Sequence, residues 1–192
     1  MPTQVAFLRA INVGGRIVKM AALRAHCESC GLANVGTFIA SGNVIFDSRA
    51  TAASLEKTIE KQLQAKLGYE VATFVRTIPE LEAIVKPAAG SRGDAKNVYV
   101  GFMRAPVPSA VQKTLQALTA PGERLLFADR EIYWMTPANM LDSKFSYAAL
   151  ERATKSPATF RNITTVTKIV QKYSQGADAM SASREGARRS PR

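Results

Sequence analysis

A cluster of polar, glycine and basic residues follows the first strand-like run of the sequence. Asn12, Gly14 and Gly15 come first, with Arg16 and Lys19 nearby, just before a predicted helix. Free backbone N–H groups and the positive end of the helix dipole at such a position favour binding of an anion. The same glycines are what a tight turn requires for backbone reasons alone, so the pattern leaves a turn and an anion site both open.

A second polar turn lies between two short β-rich runs. Ser41, Gly42 and Asn43 are typical of a hairpin turn there. In a ferredoxin-like βαββαβ unit the first two strands are parallel, so the loop after strand one and the hairpin after strand two emerge at the same sheet end. We therefore predict that this turn neighbours the first cluster and shares one candidate anion or substrate site with it.

A third cluster lies in the C-terminal half. Lys144 stands at the start of one predicted helix, and Arg161 with Asn162 at the start of another, whose first turns carry Thr165 and Lys168. Three cations beside a helix N-terminus, with almost no acidic neighbours, suit a phosphate or carboxylate clamp. Asn162 as a plain helix cap and Lys168 as a solvated side chain are the equally open alternative.

Other chemistry is poorly supported. Cys27 and Cys30 fall at the C-terminal end of a predicted helix, whereas a reactive Cys-x-x-Cys pair needs the helix N-terminus to lower the thiol pKa. The chain has two cysteines and one histidine, which cannot complete a zinc site, and His26 lacks a nearby nucleophile. No Gly-rich dinucleotide fingerprint or Walker lysine is present. We predict no catalytic residue, no metal site and no cofactor.

The elements that must position these clusters occur twice. Residues 7–10 (FLRA) return as residues 102–105 (FMRA), and the Arg, Ile, Ile and Val spacing of residues 76–85 returns in residues 161–170. Strand and helix periodicities follow the same order in both halves. A copied unit explains this, because each unit has one apolar sheet face that its copy can cover. We predict an α+β fold of two tandem ferredoxin-like βαββαβ units, each followed by a helix, produced by internal duplication.

The same periodicities give the domain boundaries. We predict a first half over residues 1–90, a second half over 91–174 and a basic, disordered tail over 175–192, which lacks periodicity. Arg9 and Arg104 each follow an apolar strand at matching positions. Each is either half-buried between the two halves with a carboxylate partner or aimed into a cleft. We favour the structural role for both, with Asp47, Asp129 or Glu131 as candidate partners.

Charge points to an anionic partner for the last third of the chain. The net charge is +11, and residues 143–175 hold six basic residues against one acidic residue. Nucleic acid is the usual partner for such a segment, and a merely solvated surface is the alternative. No apolar run approaches the ~20 residues of a membrane span, and the N-terminus lacks a signal-peptide pattern. We expect a cytoplasmic protein that does not bind membranes.

Several motifs in order resemble one bacterial family. They are residues 7–9 (FLR), 11–15 (INVGG), 41–48 (SGNVIFDS), 75–77 (VRT), 143–144 (SK), 157–159 (PAT), 161–162 (RN) and 165–168 (TVTK). Together they resemble the domain of unknown function (DUF) 1697 family over about residues 3–173. The resemblance implies a duplicated α+β fold and no established activity. Ala10 stands where that family usually has glycine, and residues 139–142 lack the expected glycines.

Three classes of function follow. The first is a protein that binds an anionic ligand, either nucleic acid or a nucleotide-like molecule. The second is an enzyme acting on a phosphorylated or carboxylated small molecule, although no general base is evident. The third is a non-catalytic partner-binding module. We favour the first, although no strand offers the two or three exposed aromatic residues of an RNA recognition module.

Overall fold

The computed structural model describes residues 1–90, 95–137 and 145–186, and their side chains over 1–87, 95–137 and 145–174. Its first half contains β1 (Thr3–Leu8), α1 (Met20–Glu28), β2 (Ala33–Thr37), β3 (Asn43–Asp47), α2 (Ala52–Leu67), β4 (Thr73–Thr77) and α3 (Ile78–Gly90). The second half contains β5 (Asn97–Phe102), α4 (Ser109–Gln116), β6 (Arg124–Ala128), β7 (Glu131–Thr136), α5 (Tyr147–Thr154), β8 (Thr159–Asn162) and α6 (Ile163–Gly186).

The fold is α+β, with one four-stranded antiparallel sheet in each half. The strand orders are β2-β3-β1-β4 and β6-β7-β5-β8, so the central and edge positions follow the same chain order in both sheets. The two ends of α2 are set by residues that cap helices. The hydroxyl of Thr51 caps α2 by accepting from the Ser54 N–H, and Gly68 ends α2 in the left-handed region.

Apolar residues form three layers of core. An outer core lies between the first sheet and helices α1 and α2, and another lies between the second sheet and helices α4 and α5. The central core joins the two sheets to each other and to α3 and α6. At its middle the rings of Phe7 and Phe102 stack, with centroids 4.0 Å apart and planes 8° from parallel.

Arg76 crosses this interface from the first half to the second. It lies opposite Val5 in the β1–β4 ladder, and 1% of its side chain is exposed. Its Nε donates to Glu131 Oε1 at 2.7 Å, and its Nη2 donates to the Met103 carbonyl at 2.9 Å. A buried guanidinium with a carboxylate partner in the opposite half binds the two halves together.

Arg161 crosses in the opposite direction from an equivalent register position. It lies opposite Val100 in the β5–β8 ladder, and its Nη2 donates to the Leu8 carbonyl at 2.8 Å. Its Nε donates to Asn43 Oδ1 at 2.6 Å, where Arg76 has a carboxylate. The two arginines also flank the central stack, each about 6 Å from the ring of the opposite half. The arrangement is reciprocal, but within the described residues Arg76 has an acidic partner and Arg161 has none.

Arg9 and Arg104 form a second reciprocal set, with partners other than those expected from the sequence. Arg9 pairs with Glu151 of α5 at 2.9 Å, and Arg104 pairs with Glu60 of α2. The three predicted partners have other contacts, and Glu131 is the partner of Arg76. The sequence could not identify these pairs, because each one joins the two halves and depends on how they pack.

Two sequence predictions concern the C-terminal tail and the binding of membranes. Helix α6 runs to Gly186, into the segment predicted as a tail, and residues 187–192 lie outside the described part, so the disorder of this tail stays a prediction. Among the described residues, no helix is long and apolar enough to cross a membrane.

The crossing arginines lead to a stability prediction. Glu131→Gln should lower the free energy of unfolding by about 3 kcal/mol, because it leaves the Arg76 charge buried without a counter-ion. Urea unfolding followed by circular dichroism measures the change. Glu151→Gln is the control: its pair with Arg9 is partly solvated and should contribute less than about 1 kcal/mol. Equal losses in the two variants would contradict the importance of the buried pair.

Candidate functional site

A cavity of about 740 Å³ lies where the second half meets the loops of the first half. Its walls come from the β1–α1 loop, the β2–β3 loop, the β8–α6 junction, and residues of β5 and α5. We call it the interhalf cavity. It is within the range of size typical of small-molecule sites. The predicted residues that line it are Asn12, Arg16, Ser41, Arg161, Asn162 and Thr165.

These residues belong to clusters that the sequence analysis treated as separate sites. Asn12, Arg16 and Ser41 come from the first half, and the other lining residues come from the start of α6. The crossing of Arg161 brings them together, since its Nη2 also donates to the Ser41 carbonyl at 2.8 Å. Packing of the two halves therefore joins the clusters at one place.

Two further predicted residues, Gly42 and Asn43, lie behind the cavity wall. The Asn43 amide donates to the Phe38 carbonyl and to Ser41 Oγ, and its oxygen accepts from Arg161. Gly42 has a φ of +72°, and a Cβ there would lie 3.1 Å from the Cβ of Ile11. Both residues shape the loop, and no other residue type fits easily at the glycine.

The remaining predicted residues that the structure describes, Gly14, Gly15, Lys19 and Lys168, are not part of the cavity lining. Gly14 and Gly15 lie on an exposed part of the β1–α1 loop, because α1 begins only at Met20, with Lys19 as its N-cap. Lys168 is exposed on α6. Lys144 lies outside the described residues. Asn12, which does line the cavity, also holds the β1–α1 loop in place, because its amide donates to the Ala40 carbonyl and its oxygen accepts from the Val18 N–H.

The cavity lining is positively charged. Arg9, Arg16 and Arg161 line it, and none of its described lining residues is Asp or Glu. Burial lowers the pKa of the Arg161 guanidinium to about 10, so this group remains protonated at neutral pH. Its N–H groups are occupied by protein oxygens, mostly backbone carbonyls, which solvate the charge but do not neutralise it. The positive end of α6 adds to this potential.

Hydroxyl groups offer hydrogen bonds to a ligand. Tyr147 Oη accepts from the Phe160 N–H at 3.2 Å and keeps its proton for donation, since burial raises the pKa of this tyrosine. Ser41 Oγ accepts from Asn43 and likewise keeps a proton. Thr165 adds a third hydroxyl to the lining. All of these groups are neutral donors at pH 7.

Part of the cavity lining is apolar, and the backbone in this part is strained. Val13 and Ile39 line the cavity and are more than half exposed. Ala10, Asn12 and Ile39 have φ values of 61°, 55° and 51°. A β-branched residue at positive φ is a genuine outlier, and such strain concentrates at binding and catalytic sites. The φ of Ala10 gives a physical reason for the glycine expected there from the family resemblance.

The equivalent end of the other half holds a cavity of only about 230 Å³, which we call the filled corner. Arg76, Glu80, Arg130 and Glu131 line it. Glu80 accepts from the Thr77 N–H at 2.7 Å and pairs with Arg130 at 2.8 Å. Burial raises the pKa of Glu80, but these contacts outweigh burial and hold its pKa below the ordinary value. The protein's own carboxylates occupy this corner.

Some lining residues were not identified from the sequence. Arg9, Ile39, Tyr99 and Tyr147 all face the interhalf cavity. The repeat marks Arg9, but its position beside α5 depends on the packing of the halves. Tyr147 follows the Ser146 cap of α5 and has no signal of its own.

Neither the two thiols nor the potential metal-binding side chains of the described residues form a second candidate site. Burial raises the pKa of Cys27 to about 12, and the Cys30 thiol donates to the His26 carbonyl at 3.3 Å. Both are poor nucleophiles in such surroundings. Within residues 1–90, 95–137 and 145–186, no group of three His, Cys, Asp or Glu side chains is placed to hold a metal ion.

Comparison with known proteins identifies one family. A family model described as "Protein of unknown function (DUF1697)" matches residues 1–133. A solved structure of the conserved bacterial protein SP0830 from Streptococcus pneumoniae is similar, with a TM-score of 0.68 and 27% sequence identity. That alignment covers 90% of this chain and 98% of the other. A search of curated proteins found no match.

The strained wall gives a prediction with two readouts. Ile39→Gly should raise the free energy of unfolding by about 1 kcal/mol, which raises Tm by roughly 2–4 °C, because it removes a left-handed β-branched residue. The same change should weaken ligand binding, because it removes an apolar wall. Val13→Gly is the control, since Val13 has no positive φ and its change should lower Tm. A fall in Tm for both variants would argue against stored strain.

Proposed function

The chain belongs to the DUF1697 family, proteins of unknown function, and we propose that it binds an anionic, ring-bearing small molecule of nucleotide size in the interhalf cavity. The observation that carries this proposal is a cavity lined by three arginines, of which Arg9 is paired with Glu151, with no Asp or Glu among its described lining residues. An anion in the cavity would supply the counter-charge that Arg161 lacks, just as Glu131 supplies it to Arg76.

The remaining walls favour a ligand with a ring. Tyr99, Tyr147 and Phe160 give the cavity an aromatic lining, and Val13 and Ile39 add aliphatic side chains to it. Aromatic and aliphatic walls of this kind take up flat, weakly polar groups by burial and stacking. A nucleotide combines such a ring with a terminal oxyanion and fits a volume of about 740 Å³.

Binding is favoured over catalysis. The described lining contains no His, Cys, Asp or Glu that would serve as a general base or a nucleophile. Tyr147 is held in its neutral form by burial, so it acts as a donor and not as a base. An enzyme acting on a phosphorylated or carboxylated molecule would need a catalytic group from elsewhere.

We propose further that the two halves are ferredoxin-like units that arose by internal duplication. The matching strand orders support this, together with the equivalent register positions of Arg76 and Arg161. The unpaired thiols of Cys27 and Cys30 are compatible with a reducing compartment, and we propose the cytoplasm.

Nucleic acid is a second candidate, favoured by exposed basic residues on α6. Lys168 and Lys172 are both exposed there. A polymer held by such residues would lose affinity steeply with salt, with a log-log slope of about −0.7 to −0.9 per phosphate contact. A single nucleotide in the interhalf cavity depends on few contacts and should show a shallow slope.

The test is isothermal titration of the full chain with adenosine 5′-monophosphate and with adenosine. We expect the monophosphate to bind at least about tenfold more tightly, since its phosphate meets the positive charges of Arg16 and Arg161. Arg16→Gln should weaken that binding about tenfold, whereas Arg24→Gln, on the exposed face of α1, should not. Absence of monophosphate binding, or equal affinity for both probes, would overturn the proposal. Tight binding of an oligonucleotide alone would favour the second candidate.

A further inference from the structure

The filled corner and the interhalf cavity occupy equivalent places in the two halves. Thr77 lies opposite Gln4 at the end of β4, and Asn162 lies opposite Tyr99 at the end of β8. A helix starts at the next residue in each case. The third residue after Thr77 is Glu80, and the third residue after Asn162 is Thr165.

The hydrogen bonds of the crossing arginines extend this equivalence. Arg76 donates to the carbonyl before it and to the Met103 carbonyl, and Arg161 does the same with Phe160 and Leu8. The bond from Arg76 to the Arg130 carbonyl at 3.5 Å matches that from Arg161 to the Gly42 carbonyl at 3.4 Å. The two arginines therefore share these three backbone contacts, whereas the acidic groups around them differ.

Three carboxylates line the filled corner, Glu80, Asp129 and Glu131, and those of Glu80 and Glu131 have no counterpart in the described lining of the interhalf cavity. Where the filled corner has Glu131 on Arg76, the cavity has the neutral Asn43 on Arg161. Where the filled corner has Glu80 on the Thr77 N–H, the cavity has Thr165, whose hydroxyl is neutral and supplies no negative charge. The cavity is correspondingly larger, at about 740 Å³ against 230 Å³.

We propose that the oxyanion of the ligand lies at the first turn of α6, in the place that the Glu80 carboxylate takes in the filled corner. This inference rests on the proposed function and adds the binding position and the chemical class. The Asn162 N–H and the Thr165 hydroxyl donate to the oxyanion, and the Arg161 charge lies behind it. The group bound is a terminal carboxylate or phosphate monoester, with the ring toward the aromatic wall.

The test supplies the missing carboxylate from the protein itself. Thr165→Glu should reproduce the Glu80 contact and compete with the ligand, so that its affinity for adenosine 5′-monophosphate falls at least roughly tenfold below that of Thr165→Gln. The glutamine variant has the same size without the charge. Thr164→Glu adds the same charge to the same helix turn at an exposed position outside the cavity, and it should leave the affinity unchanged within about twofold.

Each outcome separates this inference from the proposed function. If the unchanged protein binds the monophosphate and Thr165→Glu binds it as tightly as Thr165→Gln, the oxyanion lies elsewhere and only the subsite is wrong. If Thr164→Glu weakens binding as much as Thr165→Glu, the effect is long-range charge and the subsite is again wrong. If the unchanged protein binds no anion, the proposed function fails. Repeating the titration with adenosine-5′-carboxylic acid shows whether a carboxylate serves as well as a phosphate.

Discussion

Two buried arginines that cross between the halves in opposite directions are the interaction on which the structure depends. Arg76 and Arg161 flank the stacked rings of Phe7 and Phe102, and each donates to backbone carbonyls of the other half. A guanidinium is costly to bury unless all of its N–H groups are bonded. The carbonyls that satisfy them must therefore be held in place, which fixes how the two halves sit against each other.

This constraint gives two equivalent corners with different chemistry. At the filled corner, Glu80 and Glu131 provide the negative charge inside the fold. At the interhalf cavity, the equivalent residues are neutral, and among the described residues Arg161 is solvated by neutral oxygens, mostly backbone carbonyls. The strained backbone at Ala10, Asn12 and Ile39 also lies at the cavity. Departures from the best local choice often mark functional positions, because structure elsewhere supports them.

The sequence predicted the α+β class and six residues that line the interhalf cavity, and the limits have physical reasons. The family and the α+β class followed from motifs and periodicity, and the family is confirmed by the model match. Asn12, Ser41 and Arg161 were identified because turns and helix starts have local signatures. These residues lie in one cavity because of the way the two halves pack, and local sequence patterns do not determine that packing. For the same reason the partners predicted for Arg9 and Arg104 were wrong, and Tyr147 was missed.

The most direct test of this account is an NMR titration that follows backbone amide shifts as adenosine 5′-monophosphate is added to the full chain. The account predicts the largest shifts at Asn162, Thr165 and Ser41, with the amides of Thr77 and Glu80 unchanged, because the filled corner already holds its own carboxylates. Largest shifts at Thr77 and Glu80, or shifts confined to the exposed face of α6 around Lys168, would contradict it.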